Sequence, residues 1–172
     1  MDCQILMDSK INSNIEKLSK ELGYLLRKNR FTISVAESCT GGLVSHLITA
    51  IPGSSEYLKG SIIAYSNTIK NELLGIPEEI LKKYGAVSRE VAKNMAISIR
   101  ELMKSDIGIS TTGIAGPTGG SKKKPVGMVV FGVDIKGKTT TNIKYFNPPR
   151  NRIKMEAATT ILKILKNNLE RL

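Results

Sequence analysis

The residues with the most chemistry in them sit together at Glu37-Ser38-Cys39-Thr40-Gly41-Gly42, where an apolar run, Phe31-Thr32-Ile33-Ser34-Val35-Ala36, stops and a helical pattern restarts at Leu43. Two hydroxyls, a thiol and two glycines between a strand and a helix suit a nucleophile or an anion site. The first turn of a helix has N–H groups without intrahelical partners and a partial positive charge. Such a place favours a bound phosphate or the oxyanion of acyl transfer, and Gly41 and Gly42, lacking Cβ, let a ligand come close to the backbone. The same hexapeptide is also compatible with an ordinary helix cap, because Ser and Thr are common ahead of a first turn. On its own it leaves both readings open.

The turn needs a strand before it and a helix after it, and the chain supplies alternating elements throughout. Residues 1–13 read as a flexible N-terminal arm and 14–172 as one domain. A helical stripe of Ile15, Leu18, Leu22 and Leu25 or Leu26 lies within Ile11–Arg30. The strand over 31–36 follows, then a helix from about Gly42 to the stop signal Pro52-Gly53. Ser61–Tyr65 reads as a second strand, Asn67 as a cap, and Lys70–Leu74 as a short helix broken by Gly75 and Pro77. Ser88 caps a longer helix to Lys104, with Val91, Met95, Ile99 and Leu102 on one face. Ile107–Ser110 is a strand running into the loop Thr112–Gly120. Met128–Ile135 and Thr139–Phe146 alternate across Lys136-Gly137-Lys138 as an antiparallel hairpin. Asn151–Leu169 closes the chain as a helix. This order predicts an α/β fold: a three-layer α/β/α single domain whose mixed sheet includes the C-terminal antiparallel hairpin.

Bulk properties narrow the function classes. A chain of 172 residues, 41% hydrophobic and 24% charged, suits a soluble domain with a substantial core. No apolar stretch approaches the roughly 20 residues of a membrane span, and Met1-Asp2-Cys3-Gln4 lacks a secretory pattern, so the expectation is a cytoplasmic protein without a membrane partner. Cys3 and Cys39 form no disulfide framework or zinc spacing. The one histidine, His46, rules out a histidine-rich metal site and reads as a partly buried packing residue. No metal and no cofactor are therefore expected. The net charge of +11 is read first as a solvated lysine surface, and second as attraction for a small phosphorylated substrate. Nucleic acid comes third, because aromatics are 5% and Trp is absent, which leaves few platforms for stacking bases. A homo-oligomer is compatible with all of this.

Three segments belong together: Ala36–Gly42, Tyr65-Ser66-Asn67-Thr68-Ile69-Lys70, and Thr112-Gly113-Ile114-Ala115-Gly116-Pro117-Thr118-Gly119-Gly120. With Gly85-Ala86-Val87-Ser88 and Lys124-Pro125-Val126-Gly127 they resemble the CinA C-terminal domain family, the nicotinamide-nucleotide amidohydrolases, over about residues 14–170. The resemblance implies a deamidase converting nicotinamide mononucleotide to nicotinic acid mononucleotide and ammonia, in the stand-alone form of the family. An alternative from another class is a catalytically silent nucleotide-binding module, associated with competence, that keeps the fold.

Under this resemblance the residues take roles that amide hydrolysis needs. Ser38 is the nucleophile, Lys70 the base and Tyr65 a proton relay or an orienting group for Lys70. Backbone N–H groups around Thr40, Gly41 and Gly42 hold the oxyanion. Thr112, Gly113, Ala115 and Gly116 bind substrate. Lysine is almost wholly protonated at neutral pH, so Lys70 needs burial or nearby cations to act as a base. Cys39 is the rival nucleophile, because a helix N-terminus lowers a thiol pKa. Simpler readings stand beside these: Lys70 as a solvated charge, Tyr65 as a core ring, the glycine loop as a surface turn, and Lys122–Lys124 as lysines facing water. Near the last helix the family commonly shows Gly-Asp-Arg. Here Arg150-Asn151-Arg152 stands in its place, and Arg152 is read as the guanidinium suited to a phosphate fork.

Overall fold

The computed structural model describes residues 2–172, with side chains from residue 13 onward. The elements are α1 (Asp2–Asn29), β1 (Ile33–Glu37), α2 (Leu43–Thr49), a 3-10 turn (Ser54–Glu56), β2 (Leu58–Ile63), α3 (Asn67–Glu72), α4 (Glu78–Tyr84), α5 (Arg89–Leu102), β3 (Ile107–Gly113), β4 (Met128–Ile135), β5 (Lys138–Tyr145) and α6 (Arg150–Leu169). The five strands lie in the order β2-β1-β3-β4-β5. β1 is parallel to β2 and β3, whereas β3/β4 and β4/β5 are antiparallel. The mixed sheet and its C-terminal hairpin are those predicted.

Strand alternation divides the core into two layers. Ile33 and Val35 of β1, Ile107 and Ile109 of β3, and Val129, Phe131 and Val133 of β4 join Leu22, Leu26, Val44, Ile161 and Leu165 from α1, α2 and α6. On the opposite face Ala36 joins Leu74, Ile76 and Leu81 beside Val91, Met95 and Ile99 of α5. This makes the three-layer α/β/α arrangement. α5 lies against the sheet because the residues beneath it are small. A Cβ on Gly108 would collide with the carbonyl of Ala96, and one on Gly132 with that of Ala92. Ser110 and Ser34 instead donate hydroxyl hydrogen bonds to the carbonyls of Ala92 (2.6 Å) and Ile99 (3.0 Å).

Several boundaries differ from expectation for identifiable reasons. α1 begins at Asp2 rather than Ile11, so the backbone of the expected arm is helical from residue 2; no proline interrupts residues 2–29. Met1 and the side chains of residues 2–12 lie outside the described residues. α4 was not expected, because Pro77 read as a breaker. Pro77 is its N-cap, with Glu78 and Glu79 in the first turn and Lys82 and Lys83 in the last, each complementing the helix dipole. Ser66, not Asn67, caps α3, its hydroxyl accepting from the N–H of Ile69 at 3.1 Å. The predicted cap Ser88 does bind the N–H of Val91 at 3.2 Å. β3 runs three residues further than expected, to Gly113, because β4 pairs with it along its whole length.

Candidate active site

β1 lies between its two parallel neighbours, and a crevice opens beyond their C-terminal ends, the usual ligand position in such sheets. Ser38 is the first residue past β1. Its N–H donates to Thr111 O at 3.0 Å, which continues the β1/β3 pairing and fixes the start of the turn. From the other side, the Ser66 cap starts α3 one turn before Lys70, and this directs the lysine inward. Lys70 Nζ lies 3.0 Å from Ser38 Oγ, 2.7 Å from Ala64 O and 3.3 Å from Tyr65 O.

Lys70 is only 1% exposed and makes no ion pair among the described residues. Burial lowers its pKa from 10.5 to about 8, against a smaller opposing effect of Cys39. A neutral amine has two N–H donors and one lone pair. Once Lys70 is deprotonated, the carbonyls of Ala64 and Tyr65 can take its two donors and leave the lone pair for the Ser38 hydroxyl. Its burial and its protein partners exclude the solvated-charge reading of Lys70.

Cys39 is buried within the core of α1, α2 and α6 while also reaching the cavity wall. Burial pushes its thiol up to about 12, with Glu37 adding to the effect and its backbone hydrogen bond, Lys70 and Arg150 opposing it. The expected lowering by a helix N-terminus does not occur. At neutral pH Cys39 is a thiol and therefore a poor nucleophile.

The helix N-terminus itself is already occupied by Glu37, which sequence reasoning passed over. This residue is wholly buried. Its carboxylate accepts from Thr40 Oγ1 (2.7 Å) and from the N–H groups of Gly42 (2.8 Å), Val44 (3.2 Å) and Ser45 (2.9 Å). The α2 N-terminus is therefore capped by Glu37 and not by Ser38 or Thr40. It is not open to an oxyanion at Gly42, and Gly41 N–H donates to Ser38 O at 3.2 Å. Thr40, Gly41 and Gly42 shape the turn and do not line the cavity. Of the turn's amides, those of Cys39 and Thr40 donate to no backbone carbonyl. A buried acid followed by a donor-rich turn was the signal available, since a buried carboxylate requires partners.

A cavity of about 260 Å³ opens over Ser38 and Lys70. Ala86 and Val87 contribute apolar walls, and Thr112, Gly113, Ala115 and Gly116 line it, joined by Thr118 and Gly119. Thr112 Oγ1 donates to Ala86 O at 2.8 Å, which ties the loop before α5 to β3. Gly116 has φ +72°, and a Cβ there would lie 2.5 Å from Val126 Cγ1. Its carbonyl accepts from Arg150 Nη1 at 2.7 Å.

Arg150, which was not singled out, holds the place expected of Arg152. Arg150 Nη2 donates to Tyr65 OH at 2.8 Å, and both residues line the cavity. Arg152 is exposed, pairs with Glu156 at 2.9 Å and is absent from the lining. α6 begins at Arg150, so residue 152 projects roughly 200° around the helix from residue 150. Tyr65 is also corrected in detail: its carbonyl holds Lys70, while its exposed ring and hydroxyl face Arg150 and make no relay to the lysine. His46 is exposed and not partly buried. Lys122 and Lys123 face solvent, whereas Lys124 Nζ donates to Tyr84 O at 2.6 Å. Lys70 and Arg150 are the charged residues of the lining, which contains no acid. Among the described residues no helix is long and apolar enough to cross a membrane.

A profile of the CinA C-terminal domain matches residues 15–169. The CinA-like protein of Prochlorococcus marinus subsp. pastoris is 51% identical over 142 residues, which are 82% of this chain and 33% of that protein. The CinA-like protein of Dictyoglomus thermophilum is 46% identical over 145 residues, 84% of this chain and 35% of its own. The chain thus spans about a third of the length of these curated relatives. Among solved structures, the competence or damage-inducible protein from Enterobacter asburiae superposes with a TM-score of 0.87 at 32% identity, covering 90% of this chain and 98% of that one. The competence/damage inducible protein from Agrobacterium tumefaciens gives 0.86 at 34% identity, covering 91% and 95%.

Proposed function

The chain belongs to the CinA C-terminal domain family, and from that premise we propose that it is an amidohydrolase that converts nicotinamide mononucleotide to nicotinic acid mononucleotide and ammonia, within pyridine nucleotide recycling. The observation that carries the reading is the 3.0 Å contact between Lys70 Nζ and Ser38 Oγ, made by a lysine whose pKa burial has brought to about 8.

Ser38 Oγ attacks the carboxamide carbon as its proton passes to Lys70 Nζ. The resulting oxyanion is met by the amides of the turn that donate to no carbonyl, Cys39 N–H foremost, since this residue lines the cavity beside the nucleophile. Collapse of the tetrahedral intermediate breaks the C–N bond, and the Lys70 ammonium returns the proton to the departing amine, which leaves as ammonia. Water then attacks the Ser38 ester as Lys70 takes its proton; breaking of the ester C–O bond returns that proton to Ser38 Oγ, and the acid product leaves as the carboxylate after losing its proton to solvent. The cationic pyridinium ring of the substrate further disfavours a charged Lys70, so binding helps to prepare the base.

At the outer end Arg150 offers the guanidinium for the substrate phosphate, exchanging its neutral partners Tyr65 OH and Gly116 O for a charged one. A lining with the Arg150 guanidinium at its outer end and no acid suits a phosphorylated ligand. Ammonia release from nicotinamide mononucleotide by the pure protein tests the reading, with Ser38→Ala expected to abolish it. Full activity in Ser38→Ala overturns the mechanism, and binding of the mononucleotide without any ammonia release by the wild type identifies a silent binding module instead.

A further inference from the structure

We propose that Glu37 is the positioning residue of the Ser38–Lys70 pair: its buried carboxylate tethers the turn that carries Ser38 and thereby sets the distance from Ser38 Oγ to Lys70 Nζ. The inference rests on the reading of Ser38 as nucleophile and adds a residue that does not itself touch substrate, since Glu37 is wholly buried and absent from the cavity lining.

The partners divide between the two oxygens. Oε2 accepts from Thr40 Oγ1 (2.7 Å), Gly42 N–H (2.8 Å) and Val44 N–H (3.2 Å), while Oε1 meets Ser45 N–H (2.9 Å) and Ser45 Oγ (2.7 Å). Because Thr40 gives its proton to Glu37, the Thr111 hydroxyl must donate in turn to Thr40 Oγ1 at 2.7 Å. Ser45 Oγ lies 2.7 Å from Ser61 Oγ. One carboxylate therefore connects the ends of β1, β2 and β3 with the first turn of α2, and Ser38 lies inside that loop of contacts. Glu37 has no ion-pair partner among the described residues, so backbone and hydroxyl dipoles alone compensate it.

Each oxygen faces at least one backbone N–H, which cannot rotate into an acceptor. A glutamine of the same shape would set its NH2 against Ser45 N–H in one orientation and against the Gly42 and Val44 N–H groups in the other. The turn must shift to relieve that contact. Mispositioning a reacting group by 1 Å is worth about 100-fold in rate. The Glu37 carboxylate spends its hydrogen bonds on Thr40, Gly42, Val44 and Ser45 and makes none to the wall from Thr112 to Gly116 or to Arg150, so affinity should survive.

The test compares wild type, Glu37→Gln and Thr40→Val by ammonia release, by the rate at which a fluorophosphonate probe labels Ser38, and by binding of nicotinic acid mononucleotide. Glu37→Gln should lose kcat and labelling rate together by about 100-fold, with ligand affinity within about twofold and an unchanged circular dichroism spectrum. Thr40→Val, which removes one tether, should lose about tenfold. Wild-type labelling and kcat per folded molecule in Glu37→Gln overturn the proposal. Should Glu37→Gln fail to fold, wild-type labelling and kcat in Thr40→Val overturn it equally. A wild type that neither releases ammonia nor reacts with the probe refutes the nucleophile reading itself, which separates the two failures.

Discussion

Replacing Lys70 with methionine tests the central feature of the site through stability as well as rate. The folded pKa of Lys70 is lowered from 10.5 to about 8. Between those values the unfolded chain holds more protons than the folded one, so the stability of the wild type rises with pH across that window. Below pH 8 the burial of an ammonium costs about 3.4 kcal/mol, since each pKa unit is worth about 1.36 kcal/mol. Methionine has a similar length and nothing to protonate. Its loss of the hydrogen bonds to Ala64 O and Tyr65 O is independent of pH over this range and cancels when two pH values are compared. Between pH 6 and pH 10 the stability of wild type relative to Lys70→Met should therefore improve by about 2.5 kcal/mol, read from urea unfolding curves. The same titration should appear in kcat/KM for ammonia release. It should rise about 100-fold from pH 6 to pH 9 with an inflection near 8, whereas Lys70→Met retains only a residual, flat rate. A stability gap that does not move with pH, or a kinetic limb nearer 10.5, would refute the assignment of Lys70 as a buried base.

Other perturbations have separate readouts. Cys39→Ala should keep ammonia release within a few-fold of wild type while lowering stability by about 1 kcal/mol from lost packing; loss of turnover would return the thiol to consideration. Arg150→Gln should raise KM for nicotinamide mononucleotide about tenfold, the lower range for a hydrogen bond to a charged group at an exposed position, and leave the unphosphorylated riboside unaffected. Arg152→Ala should leave both unchanged, and the opposite ranking would restore the original reading of that segment. Gly108→Ala should destabilise the fold by about 3 kcal/mol, because its Cβ meets the Ala96 carbonyl and the backbone of Arg100; an unchanged denaturation midpoint would contradict the tight α5 packing.

The primary structure by itself determined the alternation of elements, the hairpin, the strand-to-turn position of Ser38 and the Thr112–Gly116 wall. These follow from periodicity and from glycine and cap residues, which act over a few positions along the chain. Tertiary structure decided the rest. Ser38 and Lys70 lie 32 residues apart, and only the fold, which aims Lys70 of α3 at the residue past the end of β1, brings them to 3.0 Å. Burial then separates two side chains that look equally reactive in sequence, lowering the lysine pKa and raising that of Cys39. The choice between Arg150 and Arg152 turned on where α6 starts, since two residues of offset reverse the direction of a side chain. Glu37 was hidden for the same reason: a charged residue at a strand end looks solvent-facing until the turn after it wraps four donor residues around its carboxylate. Local order is carried by neighbours in the chain, whereas desolvation and charge compensation depend on whatever the fold packs alongside.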